Sequence, residues 1–419
     1  FQVNDLNDLL TIFVPGLKIA SGTVLSGSFK SMEDLLIAKL KSKEISFNDI
    51  AMKSIDMNQE ITSGGINGNL SMLKFQYGDS MMFNGVDFLN QGKNGILESS
   101  LSWDKQSNDY SSITWTTTIL EDDQMNFVLK PSFFSINGFK WEIENESDIT
   151  LANNDLSIQD FRLSRGEQLI KVSGCLTNND HDKMHYQITQ LKLEELSRMF
   201  GMDQQYAGSF SGWGDISNPY ENFNFSCDAR LENFFIDGEE VGTVSMLTDW
   251  NEKRESIFMQ GELKYRGLRT FDFNGLYAVK KNELDLRLKF DQTDIKFANA
   301  FLDPEVVRDI QGKINGNIEV KGSPDKPLLS GKLRLANGGA VVELLGVKYR
   351  MDGIIDVKEE SFELTNIPLY DEAGNRKASL KAKAAGTGAQ YFQGQLVDAM
   401  DSIRQGMGDE YLNADQTQG

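Results

Sequence analysis

His181 and His185 are the only two histidines in 419 residues, and they sit four apart in Asn-Asn-Asp-His-Asp-Lys-Met-His. On a helix that spacing turns two imidazoles toward one metal ion, with Asp180 or Asp182 as a third ligand. Here the segment opens on the turn-forming run Asn178-Asn179-Asp180 and leads into a strand at Tyr186, so a solvated hairpin loop is the expected structure. A structural zinc site typically brings four convergent ligands, and this run does not supply them. Carboxylates are abundant, for example Asp122-Asp123, Glu239-Glu240 and Glu359-Glu360. A glycosidase sets two of them across a cleft, one with a raised pKa. Pairs beside turns read instead as a solubilising face. No Gly-rich phosphate loop, Gly-x-Ser-x-Gly or Cys/His nucleophile arrangement occurs, and two histidines are too few for most acid–base triads. Cys175 and Cys227 lie far apart, which excludes a disulfide scaffold and reads as two buried free thiols. The expectation is a non-enzyme, with no catalytic residues, no metal site and no cofactor.

Composition narrows the class further. The chain has 42 Lys+Arg against 62 Asp+Glu, a net charge of −20, which repels nucleic-acid phosphates and anionic membrane surfaces. Nucleic acid is therefore set aside as a partner. A 40% apolar share with 26 Phe argues for a folded protein. No run approaches the roughly 20 apolar residues that cross a bilayer; Leu9 to Ala20 is short and broken by Pro15, Gly16 and Lys18. The chain opens on Phe1 without a basic n-region, so no signal peptide is read, and the start suggests a piece of a longer protein with any anchor upstream.

The elements that must position any site are strands. Leu284, Leu286, Leu288 and Phe290 alternate with Asp285, Arg287 and Lys289, which puts apolar groups on one sheet face and charges on the other. Ile113, Trp115 and Ile119 alternate with threonines, and Met125, Phe127 and Leu129 follow the same period. Asn84-Gly85, Asn137-Gly138, Asn153-Asn154, Asp237-Gly238, Asn337-Gly338 and Asp352-Gly353 read as hairpin turns, because these dipeptides tolerate left-handed backbone. Short helices are expected at Leu6–Phe13, at Leu193–Phe200 and after Asp303-Pro304 through Val306, Val307 and Ile310.

The chain repeats itself. At a shift of 104, Gly208-Ser-Phe-Ser-Gly212 falls on Gly312-Lys-Ile-Asn-Gly316, Arg230-Leu231 on Arg334-Leu335, Asn233 on Asn337 and Gly242 on Gly346. At a shift of 102 the helical pieces meet, Leu193 on Ile295 and Met199 on Phe301. A looser copy runs from Leu6 to Gly27. Repeats of this kind add strands to a growing sheet rather than closing separate globules. About 25 strands at roughly 4.8 Å each would extend such a sheet on the order of 120 Å. The modules are drawn as 1–186, 187–290 and 291–381, with a non-conforming tail at 382–419. In that tail Lys381 to Gly388 lacks alternation, Tyr391-Phe-Gln-Gly394 resembles the remnant of a protease-cleavage tag, and Leu396, Met400, Ile403 and Met407 make a short amphipathic helix.

Residues Ile314 to Leu335, with Leu345-Gly-Val-Lys-Tyr349, Ile354-Ile-Asp-Val357, Ile367-Pro-Leu369 and Asp371-Glu-Ala-Gly374, resemble the TamB family of translocation and assembly module subunits. Pro131 to Trp141 and Gln168 to Gly174 add to the likeness, which covers most of 1–380 and is strongest in 130–175 and 310–375. The resemblance implies an all-β, elongated U-shaped antiparallel β-groove, a β-taco, related to AsmA-like and bridge-type lipid-transfer proteins. It also implies phospholipid transport across the periplasm, an inner-membrane anchor upstream of this chain, and an Omp85-type outer-membrane barrel (TamA-like) as partner.

The leading expectation is thus a lipid conduit between inner and outer membrane. Its groove-lining candidates are Ile113, Trp115, Ile119, Met125, Phe127, Leu129, Leu284, Leu286, Leu288, Phe290, Leu333 and Leu335. The alternative is a scaffold that assists outer-membrane barrel insertion by lending a strand edge. A carbohydrate-active β-solenoid is a third class, which would need clustered carboxylates and aromatics on one exposed face and coils shorter than a period of about 104 residues.

Overall fold

A computed structural model describes residues 2–3, 14–78, 81–120, 124–152, 155–177, 179, 181–200, 202, 204–219, 223–251, 255–301, 307–342, 347–358, 361–371, 374 and 376–385. They are almost wholly β and pair antiparallel. The chain forms two compact units, residues 1–203 with 215–221 and residues 204–214 with 222–419. Among the described residues no helix is long and apolar enough to cross a membrane.

The first unit opens with β1 (Gln2–Val3), β2 (Leu17–Ile19) and β3 (Thr23–Lys30). Four long strands follow, β4 (Leu35–Phe47), β5 (Ile50–Thr62), β6 (Gly65–Tyr77) and β7 (Met81–Lys93), then β8 (Ile96–Trp103) and β9 (Ser111–Ile119). Next come four short strands, β10 (Met125–Leu129), β11 (Ser132–Ile136), β12 (Phe139–Ile143) and β13 (Ser147–Ala152). β10 pairs with one end of β9 and continues into β13, while β11 meets the other end of β9 and continues into β12. Both β12 and β13 then pair with β14 (Asp155–Arg165), so four half-length strands occupy the place of two full ones. β15 (Gln168–Leu176), β16 (Met184–Lys192) and the helix Leu193–Met199 complete this part of the chain. Its core is Ile55, Met72, Val86 and Trp103, with Leu40, Leu70, Leu101 and Ile113 packed around it.

β17 (Tyr206–Ser217) is followed in the second unit by β18 (Asn224–Ile236), β19 (Glu239–Asn251), β20 (Ser256–Tyr265), β21 (Leu268–Ala278) and β22 (Glu283–Asp294). A 3-10 helix at Lys296–Phe301 precedes β23 (Val307–Ser323), β24 (Lys326–Val342), β25 (Val347–Lys358), β26 (Ser361–Tyr370) and β27 (Arg376–Ala385). From β18 to β27 each strand pairs with the next.

Several local expectations change. The helix read from Asp303-Pro304 is absent over Val307 to Ile310, which belong to β23, and the helical turn lies upstream at Lys296–Phe301. Val307 and Ile310 are β-branched. Val307 and Arg308 pair with Val342 and Val341 of β24, while Ile310 lies at the register shift before Gln311; strand pairing here outweighs the local cap signal. β27 runs on to Ala385, so the Ala/Lys stretch after Leu380 is strand rather than the end of the fold. The boundaries drawn at 186/187 and 290/291 both fall inside strands, β16 and β22. Residues 6–13 and 386–419 lie outside the described residues.

The Asn/Asp-Gly dipeptides divide into two uses. Asn137-Gly138 and Asp237-Gly238 are hairpin turns, and Asn153-Asn154 lies outside the described residues. Asn84-Gly85, Asn337-Gly338 and Asp352-Gly353 instead lie within β7, β24 and β25. Asn337 has φ +51° where the β24–β25 register shifts, and Asn233, its counterpart at the 104-residue shift, has φ +50° where β18–β19 shifts. Gln190 and Gln292, which match at a shift of 102, have φ +50° and +52°. The repeat therefore carries its β-bulges with it, each placing one left-handed residue in a strand and bending it. Both Asn337 and Asn233 are exposed, so the backbone term stands alone. Asn337→Val is expected to cost about 1–2 kcal/mol and Asn337→Gly close to nothing, read from urea midpoints, with Asn233 behaving alike.

Candidate functional site

In the second unit the apolar residues fall into rows that cross the strands. Phe271 faces Phe290, Phe273 faces Leu288, Gly275 faces Leu286, and Tyr277 faces Leu284. β22 passes the same rows to β23, with Leu286 on Val320, Leu288 on Ile318 and Phe290 on Gly316. β24 continues them through Leu333 opposite Gly316 and Leu335 opposite Ile314, and Ile355 of β25 faces Leu333. Toward the other side Gly261 pairs with Phe273, Met246 with Gly261, and Ala229 with Met246. Directly paired residues share a face, so one apolar surface runs from β18 to β25. Large side chains lie over glycines in it: a Cβ on Gly261 would meet the Phe273 ring at 2.3 Å. The rings of Phe271 and Phe290 stand 5.0 Å apart.

Six of the expected lining residues thus come together in this unit. Leu284, Leu286, Leu288 and Phe290 remain half-buried beside the cluster formed by Ile314, Ile318, Val320, Leu333, Leu335 and Val357. Leu333 and Leu335 are only 9% and 6% exposed, so they underlie the face rather than present it. Ile314, Ile318, Val320, Phe271 and Phe273 share the face and were missed, although Ile318-x-Val320 carries the same alternation against Glu319 and Lys321. The 3-10 helix sits against the start of β23. Asn299 ties it to β23, accepting from Ile310 N at 2.8 Å and donating to Ile310 O at 3.1 Å. The helix packs on β23, β19 and β18, and Ile295 just before it joins the apolar cluster.

The opposite face is charged. Asp285, Arg287, Lys289, Lys332 and Arg334 are exposed there, with Lys332 3.3 Å from Asp356 and Lys321 3.1 Å from Glu319. Exposed pairs of this kind contribute little stability each and serve chiefly to keep the face wet. Glu363, hydrogen-bonded to Lys358, raises the Lys358 pKa above its ordinary value.

In the first unit the other six candidates also share one face. Trp115 faces Leu129, Thr117 faces Phe127, and Ile119 faces Met125. Ile113 faces Leu101 and packs on the Ile55–Trp103 cluster. Trp115 stacks on Phe88 with centroids 6.0 Å apart. Ile119, at the strand end, is 71% exposed.

The histidines take no helical position. His185 lies on β16, exposed, with Nδ1 2.5 Å from Asp215 Oδ1, while His181 lies in the preceding turn. Among the described residues no group of three or more His, Cys, Asp or Glu is placed to hold a metal ion. Cys227 is buried and Cys175 only half-buried, the latter 3.4 Å from Ser157 Oγ. Glu239 and Glu240 open β19 beside its turn, whereas Asp122-Asp123 and Glu359-Glu360 lie outside the described residues. No protein-family model, curated protein or solved structure matches the chain.

Proposed function

We propose that the chain is a section of a lipid-transfer conduit, non-catalytic, along whose apolar face the acyl chains of phospholipids move while head groups stay at the wet margin. One observation carries the reading: the rows of half-buried Leu284, Leu286, Leu288 and Phe290 continue strand after strand with charge on the reverse. An ordinary sandwich would cover those rows with a second sheet. In the second unit Leu284, Leu286, Leu288 and Phe290 stay half-buried, and the 3-10 helix packs on β18, β19 and β23. The resemblance to the TamB family supports the same reading. What that resemblance implies, and what we propose with it, is a protein of the periplasm anchored in the inner membrane and meeting an Omp85-type barrel at the outer membrane. Transfer along such a face needs no bond chemistry, only a path on which hydrocarbon stays out of water.

Mass spectrometry of lipids extracted from the purified chain tests it. Phospholipid is expected in the wild-type extract and strongly depleted in Leu288→Glu, whose carboxylate would stand between Phe273 and Ile318. A wild-type extract without lipid would sink the conduit.

A further inference from the structure

The apolar face of the first unit is crossed by a polar line. Gln59, Gly68, Asn90 and Ser99 face one another in register across β5, β6, β7 and β8. Apolar rows flank it: Ile61 opposite Ile66 on one side, and Met57, Leu70, Phe88 and Leu101 on the other. Asn90 Nδ2 donates to Gln59 Oε1 at 3.3 Å. The missing side chain of Gly68 makes the room. A Cβ there would lie 2.0 Å from Gln59 Oε1 and 2.7 Å from Asn90 Oδ1, so the two amide oxygens converge over the glycine. Asn90 Oδ1 is buried and accepts no hydrogen bond. Gln59 Oε1 takes one donor from Asn90 and has a second lone pair. Unfilled buried acceptors are costly, and amides in an apolar row give up burial that Leu or Met would supply.

We propose that this line is a head-group contact that takes a primary ammonium, the amino head group of a phospholipid. It rests on the conduit reading. Two converging carbonyl oxygens present the negative ends of their dipoles, which suits an N–H-donating cation and repels a phosphate. A quaternary ammonium of the same charge brings no N–H and leaves Asn90 Oδ1 unfilled. The line runs along the row direction, across the strands and only one apolar row in from the β5–β6 turn, so a head group held there stays near the strand-end margin, beside the path of its own acyl chains.

The test loads the full chain from vesicles holding equal dioleoylphosphatidylethanolamine and dioleoylphosphatidylcholine in dioleoylphosphatidylglycerol, then weighs the bound lipids by mass spectrometry. Wild type is expected to favour the ethanolamine lipid over the choline lipid by about tenfold, the scale of one hydrogen bond to a charged group. In Gln59→Met with Asn90→Leu the ratio should fall to about one with total lipid unchanged. Gly68→Ala, which drives the two amides off the glycine, should lower it part of the way. Glycerophosphoethanolamine, the head group without acyl chains, should not displace bound lipid; displacement by it would overturn a lipid as the ligand. Equal loading of the two lipids by wild type, or an unchanged preference in both variants, overturns the head-group contact and leaves the hydrocarbon path standing. No lipid at all on wild type overturns the path, and this contact with it.

Discussion

Leu286→Glu is expected to lower the lipid carried by the chain by more than about a hundredfold while the sheet stays folded. Leu286 is half-buried and faces Gly275 on β21 and Val320 on β23, in the middle of the apolar rows. Without lipid its replacement carboxylate can turn to water, so the folded sheet tolerates it. Hydrocarbon laid over the face removes that water. Desolvating an ion costs several kcal/mol even after relaxation, and each 1.4 kcal/mol is a tenfold loss of binding. Arg287→Glu, one residue along and on the opposite face, should change lipid content little. Acidification supplies an internal control, because protonation below the ordinary Glu pKa of about 4.3 makes the side chain neutral and should restore lipid to the variant. Lipid mass spectrometry across pH, with far-UV circular dichroism for folding, reads both arms. Full lipid content in folded Leu286→Glu at neutral pH would take this residue off the path.

The sequence made some of this legible and not the rest, for physical reasons. Leu284 to Phe290 was readable because a period of two with charges in between has one meaning on a sheet. Phe273, Ile318 and Gly261 were not joined to it, since their meeting depends on register, and register is set by turns and bulges far along the chain. The Asn-Gly signals were ambiguous in kind: left-handed backbone closes a hairpin at Asn137-Gly138 and makes a bulge at Asn337-Gly338. Neighbours in space decide which. The polar line was not legible because alternation puts Gln59 on the parity of Met57 and Ile61 without showing what lies opposite; that it meets Gly68 and Asn90 depends on register. The helix at Leu193–Met199 was found where expected, and the shift of 102 carries it onto the 3-10 helix at Lys296–Phe301, whereas the Asp303-Pro304 signal pointed several residues too far along.

Gly316→Ala is expected to destabilise the second unit by about 3–5 kcal/mol, and Gly212→Ala by no more than about 1 kcal/mol, although the two glycines are equivalent in the repeat. Gly316 has φ +147°, which a side chain rarely adopts, and a Cβ there would stand 2.1 Å from the carbonyl oxygen of Lys332 on the paired strand. That atom is backbone and cannot swing aside. Relief requires β23 and β24 to part, which adds lost ladder hydrogen bonds, about 1 kcal/mol each, to a backbone strain of about 1–3 kcal/mol. The damage falls where Phe290 and Leu333 meet across Gly316, at the centre of the apolar rows. Gly212 lacks the left-handed φ, and its nearest neighbours, Ala229 Cβ and Asp228 O, would both be 3.2 Å away, which a shift of a few tenths of an ångström relieves. Gly138→Ala, at φ +81° in open space, isolates the backbone strain without the clash. Urea unfolding of the three variants, with hydrogen exchange read at β23 and β24, separates the contributions. Equal costs for Gly316 and Gly212 would mean that these glycines serve the repeat through conformational freedom alone; the expected inequality assigns Gly316 to the close approach of two backbones beneath the apolar face.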